Sequence, residues 1–206
     1  MAKRLGIFVD VSNLYYCVGK KFPTRKLDYR KYLSFVKGLG DVSIAVAYGA
    51  QISGQANGFI YCLKSIGFQT KFKSPKSYKN PEDDFILKRK ADWDVGITMD
   101  IVNMIDRIDM IILGTGDGDM LPVVEWAMAK GVEVVVIACG ISKDLRDHAT
   151  KTIEIPESFL EIQKPPGAKT PEDMVNQELT KSMNQAKESA ASGHLQIETC
   201  VEKGIG

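Results

Sequence analysis

Histidine and cysteine are scarce in this chain, and their scarcity removes several chemistries at once. The two histidines are His148, in a charged stretch, and His194, in a polar tail, and neither stands where a catalytic base is expected. The four cysteines, at 17, 62, 139 and 200, lack C-x-x-C spacing. They read as reduced thiols rather than a disulfide frame or a zinc site. No apolar run approaches the length that crosses a bilayer and no signal-like segment opens the chain, so a cytoplasmic protein without a membrane partner is expected. Net charge is missing too: Lys plus Arg number 27 against 26 Asp plus Glu, a formal balance of +1. The molecule as a whole is therefore no obvious polyanion binder, and any such binding must come from local asymmetry. There is also no P-loop.

What is present is an alternation of short apolar runs with helical spacing. Strand patterns fall at 4–9, 42–48, 68–72, 109–113 and 132–138. Four apolar residues in a row leave no face for water, which marks a buried strand. Helical spacing follows the first strand, with Ser12 or Asn13 as a natural cap, and recurs over 27–39, 54–66, 93–105, 121–130 and 143–149. In the helix over 93–105, Asp92 is a candidate cap, and Val95, Met99, Val102 and Ile105 share one side. Ile153, Ile155, Phe159, Leu160 and Ile162 close the core. The order predicts a three-layer α/β/α fold with a mostly parallel sheet over residues 1–163. A linker begins at Lys164-Pro-Pro-Gly, and the tail over 164–206 carries one expected helix at 171–191, which starts on Thr170-Pro171-Glu172-Asp173. That helix is modestly amphipathic and suits packing on the domain, or homo-oligomer formation through a second copy.

The most informative stretch is Leu113-Gly114-Thr115-Gly116-Asp117-Gly118-Asp119. It ends a buried strand on two aspartates among three glycines, which let the backbone turn and leave the carboxylates little steric cover. Asp119 is placed to cap the next helix. The first strand also ends on a carboxylate, Asp10. In parallel sheets ligands gather at the C-terminal strand ends near the switch in strand order, so Asp10 and Asp117 should lie together. Asp94, in the first turn of its helix, is the favoured further acid; Asp100, six residues on, is a second candidate. Carboxylates that crowd together need a cation or a proton between them. With oxygen donors only, Mg²⁺ or Mn²⁺ is the expected ion, and its chemistry is the hydrolysis of a phosphodiester.

Charge asymmetry appears in one place. Lys71, Lys73, Lys76, Lys79, Lys88, Arg89 and Lys90 surround Ser74-Pro75, Tyr78 and Asn80-Pro81. This turn-rich composition predicts a loop, and its cations with an aromatic suit the tracking of a nucleic-acid strand.

The motifs together resemble the NYN domain family, a PIN-like nuclease group, and its LabA-like branch. The resemblance rests on Phe8-Val-Asp-Val-Ser-Asn13, Lys90-Ala-Asp-Trp-Asp-Val95 leading to Asp100, Gly114-Thr-Gly-Asp-Gly-Asp-Met120, and the Ser142–Ala149 segment, and it covers roughly residues 4 to 162. It implies a metal-dependent ribonuclease acting on single-stranded or structured RNA, with Asp10, Asp94, Asp117 and Asp119 as metal ligands and Asn13 orienting a ligand or the scissile phosphate. Two alternatives stay open. One is an RNA- or protein-binding regulator with weak or no catalysis. The other is a phosphatase or nucleotide-binding domain, against which Asp10-Val-Ser lacks the Asp-x-Asp nucleophile spacing.

Overall fold

The structure is a computed structural model that describes residues 2–50, 57–74 and 92–162 in full, and the backbone path of 76–80 and 83–90. The tail helix expected over 171–191 lies outside the described residues. In chain order the elements are β1 (Arg4–Asp10), α1 (Val11–Lys21), β2 (Arg25–Leu27), α2 (Tyr29–Lys37), β3 (Asp41–Ala50), α3 (Asn57–Ser65), β4 (Gln69–Lys73), β5 (Lys76–Asn80), β6 (Asp83–Lys90), α4 (Asp94–Met104), β7 (Met110–Gly114), α5 (Leu121–Ala129), β8 (Glu133–Ala138), α6 (Lys143–His148), β9 (Lys151–Glu154) and β10 (Leu160–Ile162).

Six strands make one sheet in the order β4-β3-β1-β7-β8-β9, and every neighbouring pair is parallel. The three-layer α/β expectation holds. β7 is buried at every position, and β1 and β8 are buried at all but their ends. Leu5, Ile7, Phe8, Val9, Ile111, Ile112, Leu113, Val134 and Val136 supply the centre of the core. β1 lies in the middle of the sheet. The chain leaves it toward β3 and β4, then returns across to β7, β8 and β9, so strand order switches direction between β1 and β7. Right-handed crossovers put α1 to α3 on one face of the sheet and α4 to α6 on the other. β2 and β10 form a small antiparallel ladder beside this sheet.

Local signals differ from the sequence reading in three places. Asp10, rather than Ser12 or Asn13, caps α1: its Oδ1 accepts the backbone N–H groups of Ser12 at 2.9 Å and Asn13 at 3.0 Å. α2 is shorter than 27–39, because Asp28 caps it at Tyr29 after a short strand. The basic, turn-rich stretch is not a loop but an antiparallel ribbon, β5 with β6, in which Tyr78 pairs with Leu87 and Lys79 with Ile86. Asn80 pairs with Asp83.

Helix α4 shows a fourth difference. The stripe Val95, Met99 and Val102 faces outward, with Val95 78% and Met99 52% exposed, while Ile97 and Ile101 are buried. α4 is apolar on more than one side, so periodicity alone could not choose the face. The two isoleucines fit the sheet surface, where branched side chains pack well.

Candidate metal centre

The site is built where β1 and β7 end. Beyond β7 the chain runs Thr115-Gly116-Asp117 into a short 3-10 turn, Gly118–Met120, before α5 begins. Three bonds fix this loop. Asn13 Oδ1 accepts the Gly116 N–H at 3.2 Å, the Gly116 carbonyl accepts the Ser142 N–H at 2.9 Å, and the buried Thr115 hydroxyl accepts the Asp117 N–H at 3.2 Å. Gly116 is required by closeness: a Cβ there would lie 2.6 Å from the Gly140 carbonyl oxygen. The carbonyl approaches because Gly140 turns the chain at φ 73.

Asp117 caps the 3-10 turn, its Oδ1 accepting the Asp119 N–H at 3.1 Å. The cap role expected of Asp119 thus belongs to Asp117, and Asp119 keeps an exposed carboxylate. Asp94 arrives from the other side, at the first position of α4. Carboxylate oxygens of Asp94, Asp117 and Asp119 all lie within 4.8 Å of one another. Oxygens bound to one small hard cation at about 2.1 Å are at most about 4.2 Å apart, so small side-chain rotations close this set round an ion. Among the described residues, none of the three pairs with a lysine or arginine.

The electrostatics carry the signature of that crowding. Burial, a hydrogen bond that the protonated Asp94 carboxyl donates to the neighbouring Asp92 carboxylate, and the charges of Asp92, Asp117 and Asp10 push the Asp94 carboxyl up to about 7. Asp10 is also raised, first by burial and then by Asp92 and Asp117, against the pull of its two backbone hydrogen bonds. Like charges held this close favour a shared proton or a bound cation.

The other site expectations divide. Asp10 falls outside the mutually close trio, and one of its oxygens is committed to capping α1. It adds negative charge beside the trio. Asn13 acts on the acidic loop through Gly116. Asp100, the second candidate acid, is drawn elsewhere: it takes the Lys71 ammonium at 2.7 Å and the Tyr48 hydroxyl at 2.5 Å. Six residues along a helix is more than one and a half turns, which directs it away from Asp94. Lys71 therefore meets an internal carboxylate. Lys73 lies 4.4 Å above the Trp93 ring and bonds to the Asp92 carbonyl. The side chains of Lys76, Lys79, Arg89 and Lys90 lie outside the described residues.

Two participants were not read from the sequence as part of the site. Asp92, expected only to cap α4, shares a hydrogen bond with the Asp94 carboxyl and accepts the Asp94 N–H at 3.0 Å. Its signal was the Asp92-Trp93-Asp94 spacing. Trp93 donates its ring N–H to the Gly49 carbonyl at 2.8 Å and packs 5.5 Å from the Tyr48 ring, anchoring the start of α4 to the end of β3. Nothing in the local pattern announced that contact.

The NYN domain family matches residues 4–157. The chain belongs to the NYN domain family. NYN domains are a PIN-like nuclease group, so a hydrolase is consistent with this NYN chain, and the Asp94, Asp117 and Asp119 cluster stands at its strand ends. Its sequence is 26% identical over 170 residues to the low amplitude and bright protein LabA of Synechococcus elongatus (strain ATCC 33912 / PCC 7942 / FACHB-805), covering 79% of this chain and 90% of that one. Its structure is similar to the crystal structure of a protein of unknown function from Vibrio parahaemolyticus RIMD 2210633, at 29% identity and a TM-score of 0.67, covering 78% of this chain and 97% of the other. No helix among the described residues is long and apolar enough to cross a membrane. Cys17, Cys62 and Cys139 are free thiols.

Proposed function

We propose that this NYN domain is a metal-dependent endoribonuclease. The observation that carries the reading is the mutual closeness of Asp94, Asp117 and Asp119 at the switch between β1 and β7. Those three carboxylates would hold Mg²⁺ or Mn²⁺, a hard cation suited to all-oxygen donors. Bound there, the ion supplies an activated water and charge stabilisation for phosphodiester hydrolysis. The chain's own groups do the rest. Asp117 and Asp119 are presented by a loop that Asn13 and Ser142 fasten from either side. Asp10 adds negative charge that draws the cation in, and Asp92 sets the Asp94 carboxyl. The cations of the Lys71 to Lys90 stretch would draw RNA in through its phosphates.

A second reading, a nucleic-acid or protein-binding regulator with weak or no catalysis, is favoured by one observation: Asp10, expected as a fourth ligand, stands outside the trio with one oxygen committed to capping α1. A cleavage assay on mixed RNA and DNA oligomers, titrated with Mg²⁺ and Mn²⁺, separates the two. The nuclease reading expects metal-dependent RNA products that fall by at least about 100-fold in Asp117→Asn, with that variant still folded. Salt-sensitive RNA binding with no metal-dependent product would favour the regulator; equal cutting by Asp117→Asn would remove the site assignment.

A further inference from the structure

An aromatic cavity of about 570 Å³ opens on the α1–α3 face of the sheet. Its size falls within the roughly 300–1,000 Å³ of clefts that seat small ligands. Tyr15 of α1, Tyr29 of α2, Phe59 of α3 and Phe72 of β4 line it, together with Ser12 and Lys26. Two of these rings are unusually open for aromatic side chains: Tyr15 is 64% exposed and Phe59 38%. Behind them, Tyr29 packs edge-on against Phe59 at 5.6 Å and against Phe68 at 6.4 Å, so Phe59 is braced from the core side. On its α1 side the wall borders Asp10. Ser12, a lining residue, gives its backbone N–H to Asp10, and the Asp10 charge reaches the buried Tyr29 phenol.

We propose that this cavity takes a nucleobase of a single-stranded RNA whose neighbouring phosphate lies at the acidic trio. The inference rests on the nuclease reading for the identity of the strand. The occupant follows from the chemistry of the walls. A flat apolar ring is accepted by aromatic faces whatever its hydrogen-bonding edge, which makes base stacking tolerant of sequence. Lys26 is the charged group among the described lining residues, and it now holds Glu161 at 3.2 Å in an exposed pair of the kind a phosphate can displace at small cost. A duplex keeps its bases stacked on one another and cannot offer one to the cavity without unpairing it. The cavity therefore selects unpaired strands.

The test is binding rather than cutting, read by fluorescence anisotropy on the full chain in EDTA. The probes are a labelled oligouridylate, an abasic ribose-phosphate strand of equal length, and a matched RNA duplex. Wild type is expected to prefer the base-bearing strand over the abasic one by about five- to 150-fold, the range one stacked base supplies. Tyr15→Ala and Phe59→Ala should each erase most of that preference. Tyr16→Ala should keep it, since Tyr16 is 70% exposed on the same helix yet does not line the cavity. Tyr15 and Phe59 are both open to solvent, and circular dichroism verifies that their variants fold. Equal binding of the base-bearing and abasic strands by wild type overturns the proposal. So does an undiminished preference in both cavity variants, even if metal-dependent cleavage is found. A preference lost in the cavity variants without any cleavage by wild type supports the cavity and removes the nuclease reading instead.

Discussion

At the scale of single residues, the site depends on carboxylates whose repulsion is left for something else to relieve. Asp94 is the clearest case, because burial and three neighbouring acids raise its carboxyl from 3.8 to about 7. The sign follows from linkage: an acid whose folded pKa is raised contributes stability that is complete below about 3.8 and is lost as pH rises through about 7. In the metal-free protein, stability should therefore decline between these pH values. Asp94→Asn should flatten that slope, as read by urea unfolding at a series of pH values; an unchanged slope in the variant would mean the carboxyl is not strained. Asp109 is the contrasting case at the other end of the sheet. The hydrogen bonds of Arg4 hold its carboxyl down to about 2, with Arg4 Nη2 at 2.8 Å and Nε at 3.0 Å. The sequence singled out four acids because each ends or closely follows a strand or opens a helix. The division of labour among them was not read from it. The Asp10 cap was a local signal assigned to Ser12 or Asn13 instead, whereas the Lys71 pair of Asp100 depends on which groups tertiary folding brings near, and spacing along the chain carries no trace of that.

At the scale of elements, the acidic loop and α4 are the two parts that the site cannot do without. The loop is held by neighbours on both sides. Asn13→Ala leaves the Gly116 N–H without its acceptor and should cost about 0.5–1.5 kcal/mol in urea unfolding. Its larger effect should be on metal affinity, down about 10- to 100-fold as for other groups that position ligands. A variant with normal metal affinity would show that the loop holds its shape without Asn13. Gly116→Ala meets the Gly140 carbonyl at 2.6 Å, and the loop must move to accept it. For α4, Ile101→Ala should cost about 2–5 kcal/mol because the side chain is 1% exposed. Val95→Ser, at an exposed position, should stay within about 0.5 kcal/mol. Equal costs would contradict the face assigned to the helix. Periodicity named a shared side for Val95, Met99 and Val102 but could not say which side is buried, since a helix with apolar residues on several sides offers two stripes and only the sheet decides between them. The β5–β6 ribbon was missed for another reason: Lys76–Asn80 and Asp83–Lys90 carry no apolar alternation, and their lysines with the neighbouring prolines read as loop.

At the scale of the whole molecule, the parallel sheet sorts charge by its two ends. At the N-terminal ends of β1 and β7 the acid Asp109 is matched by Arg4, and Lys3 pairs with Glu133. At the C-terminal ends Asp94, Asp117 and Asp119 meet one another, with Asp10 and Asp92 alongside. Within a chain whose balance is +1, these acids thus gather at one rim. A mostly parallel sheet was readable from the alternation of strands and helices, whereas the order β4-β3-β1-β7-β8-β9, which sets the switch point, came only with the structure. The most direct measurement is Mn²⁺ binding by electron paramagnetic resonance, wild type against Asp94→Asn, Asp117→Asn and Asp119→Asn. The account predicts saturable binding to wild type and a loss of at least about 10-fold in affinity in each variant; equal binding by all four proteins would contradict it.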